Sequence, residues 1–325
     1  MRKGITLAVT LALIAVIAAV VFYRPGAPDE TPLDARNGGC LVGAFLGDAP
    51  RRSDIWTFQK DYGKKPYFVM IFVDWENYPD PGVINDILNE SCRPIVTWEP
   101  WTAYSKRPTD IDNILEGGYD DYIRDFARKV DAFPGKILLR FAHEMNGDWY
   151  PWSGARIGAE KYKEMYRYVK DIFDDERVDT AGWVFSINWE DVPPIAANDM
   201  MNYYPGDDYV DYVGIDGYNW GTTQPWSRWM SFYEIFGGIY RRVVNEIGKP
   251  VIITEFSSAS EGGDKAEWIR EAMDQIKRWD MVKGFVLFNV LKETDWTFPA
   301  NEKSGRQLRE SISDPHFTDN PREAI

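Results

Sequence analysis

The sequence predicts a (β/α)8 TIM barrel preceded by an N-terminal hydrophobic signal or anchor helix, and three observations predict it. Eight short runs of apolar and β-branched residues recur along the chain. Most intervals between them carry apolar residues at spacings of three and four with charges on the opposite face, as crossover helices require. The chain also opens with 20 uncharged residues, positions 4–23, behind Arg2 and Lys3.

That first run is long enough to cross a hydrocarbon core at about 1.5 Å per residue. Basic residues precede it and APDE follows it, so the bulk of the chain is expected outside the cytoplasm, secreted or held at the membrane by residues 1–24. Residues 25–37 lack apolar periodicity and read as a linker. No second linker, repeat or low-complexity tract follows, so residues 38–325 are expected to form one catalytic domain; the expected state is a monomer.

Within it the strand candidates are CLVGAFLG (40–47), YFVMIFVDW (67–75), RPIVTWEPW (93–101), KILLRFAHE (136–144), GWVFSINW (182–189), YVGIDGY (212–218), PVIITEF (250–256) and GFVLFNV (284–290). Runs apolar on both faces suit parallel strands covered by helices. Helix-period segments lie at 121–133, 160–175, 232–248 and 264–279, whereas the connection after strand 5, ANDMMNYYPGDDY, reads as a loop. Eight such units indicate a TIM barrel.

Composition narrows the chemistry. The 325 residues, 44% of them hydrophobic, can build a sizeable core. The net charge is −14, and setting aside the three basic residues of the first 24 leaves 34 basic against 51 acidic, or −17. Such a surface disfavours nucleic acid and anionic lipid but not a neutral polymer. Aromatic residues make up 15%, including 14 Trp and 18 Tyr, many beside Gly, Pro and Asn. Flat rings presented from loops suit sugar faces. Two histidines cannot build a His-rich metal centre. There is no phosphate-cradling glycine loop after a strand and no G-x-S-x-G elbow. Cys40 and Cys92 are compatible with a disulfide or with two separate buried thiols.

In such a barrel the working residues gather at the C-terminal ends of the strands. Those ends carry Asp74 and Glu76, Trp98 and Glu99, His143 and Glu144, Asn188, Trp189 and Glu190, Asp216 and Tyr218, Glu255, and Asn289, Lys292, Glu293 and Trp296. Carboxylates and aromatics are what glycosidic hydrolysis needs. One protonated carboxyl serves the leaving oxygen, and one ionised carboxylate serves the anomeric carbon. No cofactor or metal is called for.

The tract RFAHEMNGDWYPW (140–152) resembles the acid/base signature of glycoside hydrolase family 26, and YYPGDDYVDYVGIDGYNW, KPVIITEF and FNVLKETDW resemble its later motifs. The resemblance implies a retaining mechanism with Glu144 as acid/base and Glu255 as nucleophile. It further implies that His143 contacts substrate, Tyr218 hydrogen-bonds the nucleophile, Asp216 supports it, Arg140 sustains its charge, and Trp149 and Trp296 are sugar platforms. Glu99, Trp98 and Asn188 are expected to line the same cleft. Many mannan-cleaving members of that family carry a histidine where this chain has TWEPW with Glu99, and members with such a glutamate include mixed-linkage glucanases. The expected substrate is therefore a polysaccharide, mannan or mixed-linkage β-1,3-1,4-glucan. Two other classes compete. An inactive carbohydrate-binding barrel would have no use for a juxtaposed carboxyl pair, and a membrane-tethered assembly protein would expose a large apolar patch.

Overall fold

Strands, named in chain order, fall on all eight predicted runs: β1 (Cys40–Phe45), β2 (Phe68–Asp74), β3 (Arg93–Glu99), β4 (Ile137–Phe141), β5 (Ala181–Asn188), β6 (Tyr212–Asn219), β7 (Val251–Ser258) and β8 (Val282–Phe288). The structure is a computed structural model and describes residues 39–102 and 107–320. The anchor and linker expected over residues 1–37 lie outside the described residues, and no described helix is long and apolar enough to cross a membrane. Each strand pairs in parallel with the next, and β8 pairs back onto β1, which closes the sheet into a barrel.

Side-chain alternation along each strand divides the core in two. Leu41, Phe68, Met70, Ile95, Leu138, Val184, Ile252 and Val286 fill the barrel. Val42, Val69, Val96, Leu139, Phe185 and Ile253 belong to the layer under the helices. Helices α1 (Arg52–Tyr62), α2 (Pro81–Asn89), α3 (Asp120–Asp131), α4 (Ala159–Asp175), α5 (Phe232–Arg242), α6 (Lys265–Ile276) and α7 (Lys303–Ile312) supply that outer layer. Ile123, Phe126 and Val130 form the buried stripe of α3, for example. After β5 there are three short 3-10 turns, Ala196–Asn198, Met200–Tyr203 and Asp207–Tyr209, in place of a long crossover helix. Cys40 and Cys92 are separate buried thiols, and burial pushes Cys92 up to about 12.

Candidate active site

Toward the C-terminal ends of the strands the barrel filling changes from apolar to polar. Thr97, Arg140, Ser186, Asp216 and Thr254 are all fully buried. Arg140 is the hub. Its Nε donates to Ser186 Oγ at 3.0 Å, Nη1 to Thr97 Oγ1 at 3.0 Å, and Nη2 to Asp216 Oδ2 at 2.5 Å. Nη1 also lies 2.7 Å from Glu255 Oε1. Asp216 accepts further bonds from Ser186 Oγ at 2.9 Å and Thr254 Oγ1 at 2.6 Å. Gly214 makes room for this network, because a Cβ there would sit 2.5 Å from Ser186 Oγ and 2.6 Å from Thr254 Oγ1. Burial pulls the guanidinium down, but the charges of Asp216, Glu255 and Glu144 outweigh it and hold Arg140 above its ordinary value.

A β-bulge aims Glu255. The register of β7 on β6 runs Ile253 opposite Ile215 and then Glu255 opposite Asp216. One extra residue on β7 lets consecutive side chains, Thr254 and Glu255, both reach the interior. Glu255 has the Arg140 guanidinium on one oxygen and accepts from Tyr218 Oη at 2.5 Å on the other. Both contacts are ones an ionised carboxylate makes best. Burial, then the Glu255 charge, raises the Tyr218 phenol well above its usual range, so it remains a donor.

Glu144 is aimed differently, by the backbone beyond the end of β4. Ala142 (φ 47°) and Glu144 (φ 52°) both adopt the left-handed region, a conformation that costs on the order of 1 kcal/mol per non-glycine residue. Hydrogen bonds hold the turn: Ala142 N to Trp98 O at 3.0 Å, Glu144 N to Ser186 O at 2.8 Å, and Tyr162 Oη to Ala142 O at 3.0 Å. The Glu144 carboxyl is raised well above 4.5 by burial first and then by the charges of Asp216 and Glu255. Arg140 and the Trp149 indole, which donates to Oε2 at 2.7 Å, oppose that rise. Burial beside these charges favours the protonated form of Glu144.

His143 is buried and neutral, pushed well below 6.5 by burial and then by Arg140 and Lys292. Its Nε2 lies 3.0 Å from Tyr150 Oη, and its Nδ1 has no protein partner. Glu99 is brought to the same mouth and is raised to about 7 by burial, against the pull of the Trp101 indole N–H, Arg140 and Lys292. That N–H lies outside good hydrogen-bond geometry. Asn188 is held firmly at the same mouth. Its Nδ2 donates to Glu190 O at 2.6 Å, and its backbone is gripped by the Asn146 amide, with N to Oδ1 at 2.8 Å and Nδ2 to O at 2.9 Å.

Two expectations need correction. Trp98 is fully buried on the helix side of β3, stacked on Phe126 at 3.9 Å and Trp75 at 4.9 Å. Alternation sends Thr97 and Glu99 inward and Trp98 outward. Trp296 is only 1% exposed, packed on Tyr218 at 4.7 Å and Trp220 at 4.9 Å, so it backs Tyr218 and offers no open platform. Trp149, at 42% exposed, has the open ring. The sequence reading missed Thr97, Ser186 and Thr254, whose signal was a hydroxyl within an apolar strand, and Asn146, visible only as a polar residue in the Glu144 tract.

Residues 99–289 match the family model described as glycosyl hydrolase family 26. The chain belongs to that family. Endoglucanase H of Acetivibrio thermocellus is 38% identical over 289 residues, which cover 85% of this chain and 31% of that protein. Mannan endo-1,4-beta-mannosidase of Bifidobacterium adolescentis is 29% identical over 136 residues, or 42% of this chain and 14% of that protein. This chain thus spans less than a third of either relative's length. The structure of a modular endo-beta-1,4-mannanase from Cellulomonas fimi superposes with a TM-score of 0.66 at 16% identity, covering 88% of this chain and 73% of that one, which supports the family 26 barrel at the level of fold.

Proposed function

We propose that this family 26 barrel is a retaining endo-β-glycanase that cleaves β-1,4 linkages in mixed-linkage β-1,3-1,4-glucan. The observation that carries the reading is the contrast between the two carboxyls: Glu255 is paired with Arg140 and Tyr218, while burial and the charges of Asp216 and Glu255 push Glu144 toward its protonated form. Glu144 then gives that proton to the glycosidic oxygen as its bond to C1 breaks. Glu255 attacks C1 from the opposite face and forms a glycosyl ester. With the Glu255 charge consumed, the Glu144 carboxyl becomes more acidic and serves as base. It takes a proton from water, the water oxygen bonds to C1, and the ester bond breaks to restore Glu255.

Glucan is preferred over mannan on two grounds, the glutamate at position 99 and the similarity to a protein named endoglucanase over 85% of this chain. The uncharged run at 4–23 supports placement outside the cytoplasm, tethered or secreted. The test is reducing-sugar release by the full-length chain from barley β-glucan and from galactomannan, with Glu144→Ala and Glu255→Ala as controls. Release from glucan that both variants lose supports the reading. Release from mannan alone reassigns the sugar, and binding without release from either substrate restores the carbohydrate-binding barrel.

A further inference from the structure

Trp226 is the most exposed of the described aromatic residues, at 71%. A single exposed apolar side chain is ordinary in itself. Its setting is not. The loop carrying it, residues 220–231, is tied at both ends by the buried Asn219, whose Oδ1 accepts from Gly221 N at 3.2 Å and Met230 N at 3.0 Å. Asn219 Nδ2 in turn donates to Ser258 Oγ at 3.0 Å, which fastens the loop to β7. Inside the loop, Ser227 Oγ donates to Gly221 O at 2.9 Å, and Thr222 N donates to Glu261 O at 3.0 Å in the next loop. Gly221 (φ +54°) is packed so closely on that loop that a Cβ would lie 1.9 Å from Glu261 O. The ring is therefore held in water by a braced segment.

A continuous line of rings joins it to the chemistry. Trp226 meets Trp220 at 5.3 Å, Trp220 meets Trp296 at 4.9 Å, Trp296 meets Tyr218 at 4.7 Å, and Tyr218 donates to Glu255. We propose that Trp226 forms a distal subsite that stacks on the C–H face of a hexose unit in the same neutral β-glycan chain whose scissile bond lies at Glu144 and Glu255. This rests on the glycanase reading for the identity of the chain bound. An indole offers such a face a large apolar area with little conformational freedom to lose. A neutral polymer, unlike an acidic one, approaches a domain of charge −17 without repulsion.

The test is affinity electrophoresis of the full-length chain through gels containing barley β-glucan or galactomannan, in a Glu255→Ala background so that the polymer survives. Adding Trp226→Ala is expected to weaken retention about 3- to 10-fold, while Trp226→Phe keeps most of it. A thermal midpoint unchanged by Trp226→Ala ties the loss to the ring and not to the fold. Retention unchanged within about twofold by Trp226→Ala overturns the subsite, whatever the unmodified chain hydrolyses. A chain that cuts neither polymer contradicts the glycanase reading, yet a Trp226-dependent retention would still establish the subsite.

Discussion

The indole of Trp149 donates its N–H to Glu144 at 2.7 Å, from five residues along the same loop. This bond favours the ionised carboxylate, and burial and the neighbouring charges favour the acid. The bond therefore moderates a carboxyl that has to give up its proton in one step and take one back in the next. Trp149→Phe removes it. The Glu144 pKa should rise, moving the alkaline limb of kcat/KM to higher pH with it. An unmoved limb would mean that another group sets it.

Removing the opposing charge acts in the other direction. Glu255→Gln deletes the negative charge that helps hold the Glu144 proton, so Glu144 should titrate at lower pH than in the unmodified chain. Carbon-13 NMR of the labelled glutamates reads this directly, and hydrolysis should fall by orders of magnitude in the same variant.

Glu144 also makes stability depend on pH. Its folded pKa lies above the unfolded value, so between the two the native state binds more protons, and stability falls as pH rises through the folded pKa. Glu144→Gln abolishes that loss. The variant should be more stable than the parent at pH 8, with the gain vanishing below the unfolded carboxyl range near pH 4. Denaturant midpoints at the two pH values provide the check.

Arg140 neutralises Asp216 and Glu255 together. Arg140→Met strands both carboxylates and should destabilise the barrel by about 3–5 kcal/mol in urea unfolding. Arg140→Lys should recover only part of this, because a single ammonium cannot reproduce bonds to Ser186, Thr97, Asp216 and Glu255 at once.

Trp98→Ala separates packing from substrate contact. Its ring lies among Trp75, Phe126 and Phe141 and donates to Tyr122 Oη at 3.1 Å. The expected result is a stability loss of about 3–5 kcal/mol with KM for the polymer held at its original value.

The barrel was legible because parallel strands buried on both faces leave apolar runs that survive in one dimension. The placement of Glu144 and Glu255 at the barrel mouth was legible because each stands at the end of such a run. Trp98 was misplaced because proximity to a strand end does not say which face a residue takes, although the polar residues at 97 and 99 already marked the inward set. Trp296 was misread because its burial depends on Tyr218 and Trp220, which reach it from β6 and the loop after it. The bulge that turns Glu255 inward leaves no local signature, since it exists only in the register of β7 against β6.

The most direct test of the central claim, that Glu255 attacks the anomeric carbon while Glu144 supplies and recovers the proton, is proton NMR of the first-formed products of glucan hydrolysis before mutarotation. Two displacements predict the β anomer at the new reducing end in the earliest spectra. The α anomer appearing first would mean that water attacks directly, and would leave Glu255 as a base rather than a nucleophile.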